Sequence, residues 1–335
     1  MPEVAEAMRK PEAYDEKVKD IELIQTHISF VFLANGFVYK IKKPVNFGFL
    51  DYSTLEKRKF FCEEEIRLNK ELAGEIYLEV VPISRDEKNN VKIKGAGKAV
   101  EYAVKMKRLP QEAIMTALLL KNKITEKHII KIAEMLANFH KKARDDEEIS
   151  RFGSIEHVKF VWQQNFEQTG AIRGKIVSKE EFDFIEKKVN NFIKNNKKLF
   201  EKRVKEKKIK ECHGDAHSGN IFAVGDKIYI FDAIEFNLAF RSCDVASEIA
   251  FLAMDLEFNK RKDLSRLFVE KYIEFSGDSE IRKLIDFYKC YRAYVRAKVT
   301  SFKLFDENVP EKEKKECEEL TKKYFSLALN YANSL

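Results

Sequence analysis

What this chain lacks narrows its reading first. Its 335 residues include five cysteines, Cys62, Cys212, Cys243, Cys290 and Cys317, an odd number spread far apart with no Cys-x-x-Cys pair. That argues against a disulfide framework or a zinc site and for reduced thiols in a cytoplasm. The first twenty residues are charged and carry no apolar core, so no secretory signal is read there. No run approaches the roughly eighteen apolar residues of a membrane span. An intact P-loop is missing as well: Gly95-Ala96-Gly97-Lys98 lacks the first glycine at the required distance and any Ser or Thr after the lysine, and reads as a hairpin turn. There is no clear G-x-G-x-x-G; the first hairpin has Gly36 alone. Nor does one sign of charge dominate. The net charge is +7, and lysines alternate with acids, as in Glu311-Lys312-Glu313-Lys314-Lys315-Glu316, which describes solvated helix faces better than a nucleic-acid stripe.

What is present suits two packed lobes. An apolar fraction of 44% with 12% aromatics fills such cores, and 35% charged residues clothe a soluble surface. After a polar leader to Lys19, β-type residues take over. Ile28 to Leu33 and Phe37 to Ile41 flank Asn35-Gly36, a strong hairpin signal. Lys40 and Lys42 share one face of the return strand, since side chains alternate. Ser53-x-x-Glu56 opens a helix over 54–72 that Ala73-Gly74 ends. Phe61, Glu65, Leu68 and Leu72 line one face of it, and a carboxylate on an apolar face is costly unless paired. Ile76–Ile83 and Val91–Met106 continue the sheet; Met106-Lys107-Arg108-Leu109-Pro110 then leads into helical pattern, with Ser178-x-x-Glu181 capping one helix. His140, at the end of an apolar helical face, reads as a packed residue.

The stretch that carries chemistry is Cys212-His213-Gly214-Asp215-Ala216-His217-Ser218-Gly219-Asn220, followed by a hairpin over 221–231 and Asp232. Two carboxylates and an amide oxygen make a hard-oxygen set suited to Mg²⁺. In phosphoryl transfer one Asp orients the attacking hydroxyl, while an Asn and a second Asp hold the metal. The order Asp215, Asn220, Asp232 fits that division.

His213-x-Asp215-x₄-Asn220 with Asp232 resembles the catalytic loop and metal-binding Asp of the protein-kinase-like fold. The His-Gly-Asp form is similar to the aminoglycoside phosphotransferase and choline kinase group. Thr26-His27-Ile28-Ser29, Val38 to Val45, Phe47 to Asp51 and Phe251 to Leu256 extend the resemblance, toward an uncharacterised bacterial branch, over about residues 21–302. It implies an α+β, two-lobed fold: an antiparallel-sheet nucleotide-binding lobe over 1–105 and a mainly helical catalytic and substrate lobe over 106–335. It implies ATP-dependent phosphorylation of a small molecule's hydroxyl, with Asp215 as base or hydroxyl-orienting residue and Mg held by Asn220 and Asp232. Lys40 would contact the nucleotide phosphates, with Lys42 the alternative, and Glu65 would orient it, with Glu64 the alternative. The backbone of Met106, Lys107 and Arg108 would meet the adenine. His213 and Asp244 would brace the loop, with Asp244 also placed to cap the next helix; His217 sits inside the loop, where contact with substrate is the lesser reading. Arg292 and Arg296, one turn apart, would either grip an anionic acceptor or pair with acidic neighbours. Members of that branch often carry a fused P-loop kinase domain, so a separate partner protein is a further expectation. A nucleotide-binding module without turnover and a kinase of macromolecules stand as the rival readings.

Overall fold

The computed structural model describes residues 2–307 and 309–335; Met1, where the expected leader begins, lies outside them. The chain divides into two compact units, residues 1–118 with 219–241, and residues 119–218 with 242–335. The boundary expected at 105/106 follows chain order alone, whereas compactness carries the first unit on to Leu118 and adds the hairpin segment.

The first unit is built on an antiparallel sheet in the order β1-β2-β3-β6-β4-β5, from β1 (Ile21–Gln25), β2 (Ser29–Ala34), β3 (Phe37–Lys42), β4 (Tyr77–Arg85), β5 (Val91–Ile93) and β6 (Lys98–Lys107). Asn35 takes the left-handed φ of 50° that the tight β2–β3 turn demands. The expectation for Gly95 to Lys98 needs correcting. Both β5 and β6 pair with β4, on opposite sides, so this segment carries the chain across β4 and is no hairpin between neighbours. Gly97, at φ 101°, has no room for a side chain: a Cβ there would lie 2.1 Å from the Arg85 carbonyl oxygen.

The polar leader packs on the sheet. Its helix α1 (Pro2–Ala7) and the turn after it bury Val4, Met8, Tyr14 and Val18 against Tyr39, Ile41, Val81 and Ile83 of the sheet. Helix α2 (Leu55–Ala73) is capped one residue later than its sequence suggests. Thr54 Oγ1 accepts from the Lys57 amide at 3.3 Å, while the Ser53 hydroxyl donates to Asp51 at 2.6 Å. Arg58, buried, donates from Nε to both oxygens of Glu101 at 3.0 and 2.9 Å, fixing α2 on β6. Antiparallel strands Ile221–Val224 and Lys227–Ile230 complete this unit.

The second unit is mainly helical. Its helix Val245–Phe258 is apolar nearly all round and buried from Val245 to Leu256, as such a helix must be. Asp244 caps it, accepting from the Ala246 amide at 2.8 Å. The capping box at Ser178 forms, with Glu181 N 3.1 Å from Ser178 Oγ. His140 is buried, its Nδ1 2.7 Å from the Tyr272 hydroxyl. Two short strands, Ile209–Glu211 and Ser242–Asp244, pair antiparallel on either side of the loop segment in sequence. Among the described residues, no helix is long and apolar enough to cross a membrane.

Candidate active site

The residues singled out by sequence fall in both units. In the first, strand β3 aims two lysines at helix α2. Lys40 Nζ lies 2.9 Å from Glu65 Oε1 and 2.6 Å from Asp232 Oδ1. Lys42 Nζ lies 2.7 Å from Glu65 Oε2. Glu65 is fully buried and therefore serves both lysines, one oxygen to each. Glu64 points elsewhere, pairing with Arg67 at 2.8 Å. Burial disfavours charge on Lys40, but Asp232 and Glu65 outweigh it and hold the ammonium protonated, well above the ordinary lysine range. Burial likewise pushes the Glu65 carboxyl up, and Lys40 and Lys42 override it to hold the group below the ordinary glutamate range.

Asp232 follows the second strand of the 221–230 hairpin in a left-handed conformation, φ 65°, which is uncommon for any residue with a side chain. Its amide donates to the Tyr77 hydroxyl at 3.1 Å, and the next amide, of Ala233, donates to Asn69 Oδ1 at 3.0 Å. The carboxylate is thereby turned toward Lys40. Asn220 stands at the base of the same hairpin, its carbonyl accepting from the Phe231 amide at 3.0 Å. An amide oxygen and a carboxylate are the donors a hard cation takes, so by chemical type this donor set fits Mg²⁺.

At the end of β6, Met106 pairs with both Val38 and Tyr77. The Lys107 amide donates to Ile76 O at 2.9 Å and the Arg108 amide to Gly36 O at 2.8 Å. Both N–H groups are committed within the sheet unit.

In the second unit, the loop bearing Asp215 is held from beneath by a residue the sequence reading passed over. Glu248, fully buried on the apolar helix, accepts from the His213 and Gly214 amides, each at 3.1 Å. Burial pushes its carboxyl up to about 7, against the pull of Arg292 and the loop amides. Arg292 is buried against the loop: it donates from Nε to Ser247 O at 3.0 Å and from Nη1 to Gly214 O at 3.2 Å. Arg296, one turn on, has its guanidinium over the Tyr324 ring at 5.6 Å. His213 is buried and accepts from the Asp215 amide at 3.3 Å. His217 Nε2 lies 3.6 Å from Asp215 Oδ2, and its ring packs 5.1 Å from that of Phe251. Burial raises the Asp215 carboxyl, but His217, His213 and Arg296 together hold it ionised, below the ordinary aspartate range. Asp244 forms a fork with Arg203 at 2.8 and 2.6 Å, and Arg203 also holds Asp278 at 2.6 Å.

Cys212 and Cys243, far apart in sequence, meet beside Glu248 with all three ligand atoms within 4.8 Å. Arg292 Nη2 lies 3.8 Å from Cys243 Sγ, and a guanidinium there opposes a bound cation. The signal for Glu248 was available: it is a carboxylate in an otherwise apolar helical stretch, the argument that picked out Glu65. No comparable signal marks Tyr77 or Asn69, whose contacts are set by tertiary packing.

No family model matches the chain. Curated proteins named as uncharacterized, from Mycobacterium bovis and two strains of Mycobacterium tuberculosis, are 34% identical over 291 residues, 87% of this chain and 56% of theirs. The chain thus spans about half the length of the curated relatives it matches. Among solved structures, choline kinase from Cryptosporidium parvum Iowa II superposes with a TM-score of 0.57 at 11% identity, covering 96% of this chain and 91% of that one. A choline/ethanolamine kinase family protein from Mesorhizobium loti gives 0.53 at 13%, covering 99% and 100%. The GDP complex of aminoglycoside 2'-phosphotransferase-IIIa gives 0.50 at 11%, covering 93% and 94%. At such identities the likeness is one of fold. The chain has the protein-kinase-like fold of choline kinases and aminoglycoside phosphotransferases, α+β with an antiparallel-sheet N-lobe and a helical C-lobe.

Proposed function

We propose that this chain is an ATP-dependent small-molecule kinase that phosphorylates a hydroxyl group. The observation that carries the reading is the Lys40 ammonium, set between Glu65 at 2.9 Å and Asp232 at 2.6 Å. A lysine so oriented offers its charge to nucleotide phosphates, and Glu65 keeps it aimed while they bind. Asn220 and Asp232 would hold Mg²⁺, which when bound would neutralise charge on the phosphate oxygens. Asp215 orients the acceptor hydroxyl. The hydroxyl oxygen bonds to the γ-phosphorus as the bond from that phosphorus to the ADP oxygen breaks, and the Asp215 carboxylate takes the proton. That step needs Asp215 ionised, and its neighbours favour the ionised form. Catalysis of this kind is positioning and charge stabilisation, which suits a loop whose amides and carbonyl are held by Glu248 and Arg292. We place the protein in the cytoplasm, where its five unbridged cysteines stay reduced.

The test is the fate of label from γ-labelled ATP incubated with a cell extract and separated by size. The reading predicts protein-dependent label in the small-molecule fraction. Label in protein or RNA alone favours the macromolecular kinase, and Mg-ATP binding without transfer favours the non-catalytic module.

A further inference from the structure

The function proposed above leaves Lys42 without a part. Its side chain is fully buried, 2.7 Å from Glu65 Oε2, in an ion pair with Glu235 and 3.4 Å from the Tyr52 hydroxyl. That hydroxyl also donates to Glu235. A buried lysine with two carboxylates is a poor device for stability. Desolvation offsets the attraction, and an apolar pair of similar volume often does as well or better.

Resting on the phosphotransferase reading, we propose that Lys42 and Glu235 are positioning residues: a second clamp that holds the Asp232–Glu235 segment on β3 once Lys40 turns to the nucleotide. Lys40 and Lys42 sit two residues apart on one face of the strand, and the segment is tied to both, Asp232 to the first and Glu235 to the second. Glu65 joins the two ties, so its carboxylate cannot rotate without breaking one. Asp232 needs such support, because its left-handed backbone persists only where surrounding contacts hold it. When phosphate oxygens draw the Lys40 ammonium, the ion pair at one end of the segment is given up. The Lys42–Glu235 pair and the Tyr52 hydroxyl then keep the other end in register, and Lys42 keeps Glu65 from following.

The experiment replaces the pair by apolar residues of similar length, Lys42→Met with Glu235→Met. Binding of a fluorescent ATP analogue is then measured across a Mg²⁺ titration and in EDTA, with thermal unfolding followed alongside. Glu235→Gln, which keeps the shape, serves if the double variant does not fold, and Asp232→Asn is the control. The expected result is a Mg²⁺ half-saturation raised about tenfold or more in the double variant and less in Glu235→Gln, with binding in EDTA and the melting temperature near wild type. A wild type whose Mg²⁺-dependent binding is lost in Asp232→Asn but unchanged in both clamp variants overturns the clamp alone. A wild type with no Mg²⁺-dependent nucleotide binding overturns the clamp and the kinase reading together.

Discussion

Lys40 Nζ lies closer to Asp232 Oδ1, at 2.6 Å, than to Glu65 Oε1, at 2.9 Å. The same ammonium cannot keep both contacts at full strength and also bind phosphate, so on the kinase reading proposed above Asp232 would compete with the nucleotide for Lys40 when no metal is present. Asp232→Asn should therefore bind ATP in EDTA at least as tightly as wild type, yet gain nothing from added Mg²⁺. Its phosphoryl transfer should fall by about a hundredfold or more. Calorimetric titration with and without Mg²⁺ measures both arms; a variant that binds ATP weakly in EDTA contradicts the competition.

Glu248 should make stability depend on pH. Its folded-state pKa, about 7, stands above the ordinary 4.5, so the folded protein binds the extra proton between those values. The contribution is fully present below about 4.5 and is lost as pH rises through about 7. Across that window wild type should lose about 3 kcal/mol relative to Glu248→Gln. Urea unfolding of both proteins from about pH 4 to about pH 8, a range that spans that window, shows whether the difference is there; parallel curves mean that Glu248 does not titrate this way.

The buried fork of Asp244 on Arg203, shared with Asp278, should be structural. Asp244→Asn leaves a guanidinium in the core with half its countercharge, and is expected to cost about 3 kcal/mol or more of unfolding free energy. The affinity of the folded protein for Mg-ATP should stay close to wild type. A loss of binding without a loss of stability would give Asp244 a direct part in the chemistry.

Several of these elements could be read from residues alone, because they rest on local rules. Asn35-Gly36 marks a hairpin through its left-handed turn, Ser178-x-x-Glu181 marks a helix start, and Ala73-Gly74 marks a stop. Local rules fail by small offsets where two residues compete for one task. Thr54 caps α2 because Ser53 is engaged by Asp51. They fail outright for strand order: the chain from β5 crosses β4 to reach β6, and hydrophobic pattern carries no record of which strands are neighbours. The candidate residues divide along the same line. Asp215, Asn220 and Asp232 are close in sequence and form a motif, and Glu65 betrays itself as a carboxylate on an apolar face. The contacts that tie Glu235, Tyr52 and Asn69 to the candidate residues run to partners far away in the chain, so no spacing announces them.

Turnover with Mg-ATP against a pooled set of cellular metabolites, comparing wild type with Asp215→Ala, tests the central claim most directly. The account predicts phosphate transfer to a small molecule by wild type, reduced by about a hundredfold or more in the variant while Mg-ATP binding and the melting temperature are kept. Transfer that persists in Asp215→Ala, or tight Mg-ATP binding with no transfer by either protein, would contradict it.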